Sequence, residues 1–305
     1  MGASSWLIVA DDEPIGGMLA FVRPLGGAIT AVVVGPRERA ETGAVAGPDR
    51  VLWFEAVDTV PVEARAADVA AAAKAAAPRL LVSSDDAGAR VLLGAAAAAT
   101  GAALVSGVRT MTAEGACLVA SRPAIDGRVV ETLETTGALA CTFDGEAIDA
   151  GPTAVPAPVD TAPLAGEAAS MRVVQDLPAP GSSGLRSAAR VLGVGLGIRA
   201  KDDLALVEAL ATSLRAEIAC TLPVCDDMRW YGPERVVGRS HTKIAPDLYI
   251  ALGISGQPQH MVGVRDAKVV VAINSDPDAT ILKDCDYAVL GDLYEVVPAL
   301  TDALR

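Results

Sequence analysis

The stretch LYIALGISGQPQH, residues 248–260, decides the fold of the C-terminal half of this 305-residue chain. It opens with an apolar run that includes a tyrosine and a branched isoleucine, which predicts a buried strand. Small residues follow at once, and the stretch ends on Gln259 and His260. In doubly wound sheets, ligands bind at the carboxyl ends of the strands. The stretch therefore predicts a strand of a parallel sheet with a ligand site at its end.

The chain contains only two histidines, His260 and His241, and His241 lies just upstream in the segment RSHT. The glycine and polar residues around His260 favour a ligand-binding role. The alternative is a histidine whose ring is satisfied by partners within the core. For His241 the alternative to a role in the site is an ordinary surface loop residue.

Similar apolar runs occur in both halves of the chain and alternate with segments of helical composition. Buried strands are predicted within residues 6–10, 28–35, 51–56, 79–84, 190–197, 217–224, 247–254, 268–274 and 287–293. Continuous apolar strands between helices are typical of mostly parallel sheets that are covered on both faces. The sequence therefore predicts an α/β fold with two domains, each a mostly parallel sheet flanked by helices.

The pattern of apolar and polar residues changes twice between these two halves. After residue 107, segments punctuated by glycine predict hairpins or a meander, up to and including ALACTFDGEAIDAG at residues 138–151. Residues 151–168 are rich in proline and alanine and have no period, which predicts a linker or an extended segment along the surface. We therefore place an N-terminal α/β domain at residues 1–150, a linker at 151–185 and a second domain at 186–305.

Composition excludes several classes of protein. A formal net charge of −13 argues against nucleic acid and against an anionic membrane surface, since both need clustered Lys and Arg. Five scattered cysteines predict no disulfide framework, and Cys220 and Cys225 lack the further ligands that a zinc site needs. The N-terminal sequence has no basic segment typical of a signal peptide, and no apolar run is long enough to span a membrane. We expect a cytoplasmic protein without a bound metal.

Three further motifs follow strands of the second half. GVGLG at residues 193–197 partly matches a dinucleotide-binding turn, and the alternative is a tight turn between strand and helix. Asn274 ends a strand before the turn SDPD, and Asp292 ends another before the last helix. Their alternatives are a plain turn and a helix N-cap. Walker, HExxH and GxSxG motifs are absent, so no catalytic residue is predicted.

Over these residues the chain resembles the alpha subunit of electron transfer flavoproteins, the FixB family. The resemblance is specific in APDLYIALGISGQPQHMVGVRDAKVVVAINSDPDATILKDCDYAVLGDLYEVVP, residues 245–298, and extends to DMRWYGPERVVG, residues 227–238. It implies that the C-terminal domain is a Rossmann-like FAD-binding fold. It also implies a heterodimer with a beta subunit, with one FAD between the subunits that passes electrons singly.

The resemblance also implies which residues hold the FAD. Ser240 would bond near flavin N5, and His260 would donate to flavin O2, where negative charge grows on reduction. Asn274, Asp292 and Leu293 would contact the adenosine side. The full set of implied cofactor-binding residues is Val237, Gly238, Arg239, Ser240, Ser255, Gly256, Gln257, Pro258, Gln259, His260, Asn274, Asp292 and Leu293.

The chain departs from the family pattern at three further positions. Leu196 and Leu222 stand where the family has arginine, and His241 stands where it has glycine. A charged hydrogen bond is worth about 1.5–3 kcal/mol, so losing two cations beside a pyrophosphate weakens FAD binding by a factor of roughly hundreds. Arg199, Arg239 and His241 are the candidate replacements.

Two functions follow from this resemblance. The first is an electron carrier that takes electrons from a partner dehydrogenase and delivers them to a quinone reductase or another acceptor, and so converts no substrate itself. The second is a non-redox nucleotide-binding or scaffolding subunit with a weakened or lost FAD site. The retained strand-end residues favour the carrier, whereas Leu196 and Leu222 favour the second function.

Overall fold

A computed structural model describes residues 4–12, 14–57, 59–125, 127–145, 148–149, 151–164, 171–175 and 184–304. The chain forms two compact units, Met1–Asp176 and Leu177–Arg305. Within the described residues, no helix is both long and apolar enough to cross a membrane.

The first unit is built on a parallel sheet. Its strands are β1 (Ser5–Val9), β2 (Ile29–Gly35), β3 (Arg50–Glu55), β4 (Leu80–Ser83), β5 (Ala103–Val108), β6 (Thr110–Glu114), β7 (Cys117–Ala124), β8 (Val129–Thr135), β9 (Leu139–Phe143) and β10 (Val159–Thr161). Its helices are α1 (Gly16–Val22), α2 (Arg37–Val45), α3 (Ala66–Ala76) and α4 (Ala87–Thr100), with 3-10 turns at Arg23–Leu25 and Val62–Arg65. Among the described residues, seven strands pair in the parallel order β10-β3-β2-β1-β4-β9-β5, and β6-β7-β8 form a separate antiparallel sheet.

Side chains of β1 alternate between two cores, as the period of a strand requires. Leu7 and Val9 pack towards α1 and α2, whereas Trp6 and Ile8 pack towards α3 and α4. The alanine-rich faces of α3 and α4 lie in the second of these cores. Because both faces of the sheet are covered, its inner strands β1, β2, β4 and β9 are almost entirely buried.

Two segments differ from the simplest interpretation of the sequence. Leu139–Phe143 was predicted as part of the meander, but it is the interior strand β9, parallel to both β4 and β5. Its nearly continuous burial is typical of an interior strand, whereas β8 alternates between exposed and half-buried residues. Val159–Thr161, which lies in the predicted linker, pairs with β3 as the edge strand β10.

The second unit is a smaller parallel sheet. Its strands are β11 (Arg190–Val194), β12 (Glu217–Cys220), β13 (Leu248–Leu252), β14 (Val270–Asn274) and β15 (Tyr287–Leu290). Its helices are α5 (Leu204–Leu214), α6 (Leu222–Asp226), α7 (Pro258–Met261) and α8 (Leu293–Ala303), with 3-10 turns at Leu185–Ser187, Lys201–Asp203, Pro233–Arg235 and Thr280–Lys283. The mostly parallel α/β fold predicted from the sequence is confirmed.

The strand order of this unit fixes where a ligand can bind. The order is β12-β11-β13-β14-β15, which is the 2-1-3-4-5 order of doubly wound sheets. In that order the direction in which successive strands are added to the sheet reverses between the first and third strands, here β11 and β13, and the helices that follow them pack in the two different cores of this unit. Val194 and Leu252 are register partners, so both strands end at the same level. The crevice for a ligand therefore lies beyond these two residues.

Candidate functional site

A pocket of about 430 Å³ lies at this crevice. Its lining comes from residues 195–196 after β11, 221–223 after β12, 236–241, 253–255 after β13, and 257, 259 and 260. Its volume is within the range of roughly 300–1,000 Å³ found for small-molecule sites. The pocket thus stands where the strand order predicts a ligand.

Glycines allow the two central loops of the pocket to touch. Gly195 donates its N–H to the carbonyl of Leu252 at 2.9 Å, and Gly197 donates to that of Gly253 at 3.0 Å. Gly253 has φ of +63°, and a Cβ there would meet the backbone of Gly197. The GVGLG motif therefore serves a contact between two backbones at the crevice, and Gly195 and Leu196 line the pocket.

The loop of residues 237–241 forms the opposite wall. Arg239 donates its N–H to the carbonyl of Gln259 at 2.8 Å, which fastens this loop to α7. Gly238 has φ of +156°, and a Cβ there would lie 2.9 Å from the same carbonyl oxygen. Arg239, Ser240 and His241 are exposed on this loop and line the pocket. His241 is thus both a surface residue and part of the pocket wall.

His260 is buried, with 8% of its surface exposed, and both ring nitrogens have partners. Nδ1 lies 3.1 Å from the carbonyl oxygen of Val237, and Nε2 lies 2.8 Å from the hydroxyl of Tyr249. Burial lowers the pKa of His260 to about 4, and the bond to Val237 opposes this only in part. The ring is therefore neutral at pH 7.

This geometry determines the tautomer of His260. A carbonyl oxygen can only accept, so Nδ1 carries the proton, and the bare Nε2 accepts from the Tyr249 hydroxyl. Burial raises the pKa of the Tyr249 phenol, so it keeps the proton that it donates. Both ring nitrogens of His260 therefore bond to groups of the described part of the chain, which is the alternative that the sequence left open. The expected donation from His260 to flavin O2 stays a prediction, and in this structure the N–H of the ring is bonded to Val237.

The charge of the lining distinguishes this pocket from another in the first unit. None of the described residues that line it is acidic, and Arg239 supplies a permanent positive charge. The first unit has a cavity of about 590 Å³ whose lining includes four acidic residues and Arg39. Arg39 pairs with Asp12 at 2.8 Å in that cavity. In a chain of net charge −13, the carboxylate-free pocket is the one suited to an anion.

The two leucines at family arginine positions are both at the pocket surface. Leu196 is 56% exposed and Leu222 is 42% exposed, and both line the pocket. Arg199 is held elsewhere: it pairs with Asp292 at 2.9 Å, and its guanidinium lies 4.4 Å from the centre of the Tyr294 ring. Of the three candidate replacements, Arg239 and His241 are in the lining and Arg199 is not.

The structure gathers part of the site expected from the sequence. The expected residues that line the pocket are Val237, Gly238, Arg239, Ser240, Ser255, Gln257, Gln259 and His260. The expected residues outside the lining are Gly256, Pro258, Asn274, Asp292 and Leu293. The structure adds Thr221, Pro223 and Val236, which sequence reasoning missed although Thr221 follows β12 directly, as a strand-end residue would.

The outlying residues have structural partners of their own. Asn274 donates from Nδ2 to the carbonyl of Ile254 at 2.8 Å and so holds the loop that follows β13. Asp292 caps α8, since its carboxylate accepts from the N–H of Tyr294 at 2.9 Å. That hydrogen bond, and then Arg199, hold the pKa of Asp292 below its ordinary value. Asp292 therefore has the N-cap role that the sequence offered as its alternative.

Comparison with known proteins matches both units. Residues 184–265 match the model of the electron transfer flavoprotein FAD-binding domain, and residues 19–174 match that of the electron transfer flavoprotein domain. YdiR of Escherichia coli (strain K12) is 49% identical over 126 residues, which are 41% of this chain and 40% of YdiR. Protein FixB of Escherichia coli O7:K1 (strain IAI39 / ExPEC) is 40% identical over 163 residues, which are 53% of this chain and 51% of FixB. The matches thus span about half of these relatives or less.

Among solved structures, a thiamine diphosphate-dependent 4-hydroxybenzoylformate decarboxylase of Rhodococcus jostii RHA1 covers 100% of this chain with 12% identity. The chain covers 60% of that structure, and the TM-score is 0.26. A similarity at that level carries no argument about fold or function.

Proposed function

The chain belongs to the electron transfer flavoprotein family as a member of the alpha-subunit type, and from that premise we propose that it is an FAD-dependent electron carrier. Its second unit contains the FAD-binding domain of that family. The observation that carries the proposal is the position of the carboxylate-free pocket, at the carboxyl ends of β11 and β13. An FAD there would supply one-electron chemistry when bound.

The lining fits the parts of such a cofactor. Val236, Val237 and Ile254 give the lining an apolar part against which a flat ring would pack. Arg239 and the glycine-rich loops offer a positive charge and closely approaching backbone for a pyrophosphate. We assign the anionic part of the cofactor to the side of Arg239 and His241.

Each wall residue then has a role. Ser240, which is exposed on the loop of residues 237–241, would hold the flavin by donating its hydroxyl to a ring nitrogen. Asn274 keeps the loop after β13 in place through the carbonyl of Ile254. His260 contributes a neutral ring and holds the loop of residues 237–241 through Val237.

The proposed electron carrier needs protein partners. A beta subunit would complete a heterodimer, a dehydrogenase would donate electrons, and a quinone reductase or another acceptor would take them. We propose that this exchange occurs in the cytoplasm, with no nucleic acid and no inserted membrane segment. The domain limits proposed from the sequence, with the FAD-binding domain at residues 186–305, remain part of this account.

A second candidate function is favoured by one observation. Leu196 and Leu222 replace two arginines of the family pattern, and the proposed substitute Arg199 is paired with Asp292 outside the lining. A scaffolding or nucleotide-binding subunit with a weak FAD site would tolerate that loss. The two functions differ in FAD affinity.

An FAD titration of the complex with its beta subunit, followed by flavin fluorescence, tests the location. Leu222→Trp fills the pocket mouth with a bulky ring and should abolish saturable binding. Leu290→Trp, at an exposed position of β15 outside the lining, is the matched control and should bind FAD like the wild type. Equal binding by both variants would refute the assignment of this pocket.

A further inference from the structure

The loop that follows β13 packs against the 3-10 turn Thr280–Lys283. The N–H of Ile281 in this turn donates to the carbonyl of Ser255 at 3.0 Å. Gly256 has φ of +89°, and a Cβ there would overlap the backbone of Ile281. Ser255 and Gln257, on either side of Gly256, line the pocket, whereas Thr280–Lys283 do not. The loop therefore lies between the turn and the pocket.

The hydroxyl of Thr280 holds two successive carbonyls of this loop. Its Oγ1 lies 2.9 Å from the carbonyl oxygen of Ser255 and 3.0 Å from that of Gly256, and its hydrogen is shared between them. The described peptide bonds are all trans. In a trans peptide group the C=O and the N–H point in opposite directions. The N–H groups of Gly256 and Gln257 therefore point away from Thr280, towards the pocket side of the loop.

These two N–H groups have no acceptor within the described part of the chain. Gly256 is buried, and buried N–H groups in folded proteins almost always have a partner. Successive N–H groups that point the same way form concave sites for anions. Gly256 and Gln257 directly precede α7, and the N–H of Arg239 is bonded to Gln259 of that helix. The two N–H groups and Arg239 are therefore on the same side of the pocket.

We propose that Thr280 is a positioning residue of the cofactor site, whose hydroxyl aims the N–H groups of Gly256 and Gln257 at the anionic part of the cofactor. The identity of that anion, the pyrophosphate of FAD, rests on the proposed function. The direction of the two peptide groups rests on this chain alone. Without the hydroxyl, the bond from Ile281 still holds the carbonyl of Ser255. The carbonyl of Gly256 loses its bond to Thr280, and the peptide group of Gln257 is free to turn.

A titration of the complex with FAD, followed by flavin fluorescence, measures the effect. Thr280→Val keeps the shape of this exposed side chain without the hydroxyl, and it should weaken FAD binding about 3- to 10-fold. Thr280→Ser keeps the hydroxyl and should bind FAD like the wild type. Thr212→Val is the matched control, because the Thr212 hydroxyl donates to Glu208 within α5, outside the lining. Wild-type affinity in Thr280→Val, or equal losses in Thr280→Val and Thr280→Ser, would overturn the proposal.

Nuclear magnetic resonance observes one of these N–H groups directly. Gly256 and Gln257 form the only glycine–glutamine pair in the sequence, so ¹³C-carbonyl glycine combined with ¹⁵N glutamine selects the Gln257 amide. The labelled chain is combined with unlabelled beta subunit. Adding FAD should shift this amide signal in the wild type, and the shift should be smaller in Thr280→Val. An unchanged wild-type signal with FAD bound would refute the proposal, whether or not the variant folds.

ADP distinguishes a failure of this inference from a failure of the proposed function, because ADP carries the pyrophosphate without a flavin. If the complex takes up no FAD, the electron carrier fails, and the wild-type spectrum with ADP decides about the amides. A saturable shift of the Gln257 signal would then support N–H groups aimed at an anion in a nucleotide-binding subunit. A signal that ADP leaves unchanged would overturn the inference as well.

Discussion

Restoring one cation to the pocket should tighten FAD binding by a calculable amount. Leu222 lines the pocket, and 42% of its surface is exposed, so an arginine there would be only partly desolvated. A charged hydrogen bond contributes about 1.5–3 kcal/mol when shielded, and an exposed ion pair about 0.2–1 kcal/mol. An intermediate value of about 1–1.5 kcal/mol predicts that Leu222→Arg binds FAD about 5- to 12-fold more tightly.

The assay is a fluorescence titration of the complex with FAD at two ionic strengths. Leu222→Gln is the control for polarity without charge, and it should change the dissociation constant by less than the arginine does. The gain from arginine should shrink at about 1 M salt, where the Debye length falls to about 3 Å. Equal or weaker binding by Leu222→Arg would refute the reasoning, because it would place the pyrophosphate away from this wall.

The remaining predictions concern the loops and caps that shape the site. Gly253→Ala forces a side chain into φ of +63° against Gly197 and should cost at least about 1 kcal/mol of unfolding free energy in urea. Gly94→Ala, in α4 with nothing within 4 Å of the new Cβ, should instead stabilise the protein by about 0.5–1 kcal/mol. A lower free energy of unfolding in both variants would contradict this account of Gly253. Asp292→Asn should lower the melting temperature at pH 7, because folding lowers the pKa of Asp292. The ionised carboxylate therefore stabilises the folded state at pH values above the ordinary pKa of 3.8. That difference should be lost as the pH falls through the folded pKa, and a difference that grew on acidification would show that the sign is wrong.

The sequence predicts the fold well because its strands are apolar and its helices alternate with them. Leu139–Phe143 shows the limit of that pattern. It follows a meander along the chain, yet it enters the parallel sheet between β4 and β5. Neighbours along the chain cannot reveal a partner strand from elsewhere. Its nearly continuous burial distinguishes it from β8.

The candidate site could be predicted in part for a similar reason. Strand ends indicate the ligand edge of a sheet, but the pocket lies only at the ends of β11, β12 and β13 among the described strands. Ser255 follows β13 and lines the pocket, whereas Asn274 ends β14 and supports a loop. The strand order, which the sequence does not state, separates these two residues.

The hydrogen-bond partners of His260 could not be predicted from any sequence motif. Its place in the stretch GISGQPQH favours a ligand-binding role, but the carbonyl of Val237 fixes the direction of its N–H, and the room left by Gly193 admits the Tyr249 hydroxyl that bonds the other nitrogen. That relationship joins two adjacent strands far apart in sequence. The side chain therefore lines the pocket while both of its nitrogens bond within the protein.

The most direct test of the central claim is an absorption spectrum of the chain purified with its beta subunit, followed by stepwise reductive titration. The account predicts nearly one FAD per heterodimer, reduced in separate one-electron steps, which would mean that Arg239 and His241 suffice in place of the missing arginines. A colourless complex that also fails to take up added FAD would contradict the electron carrier and leave the scaffolding subunit.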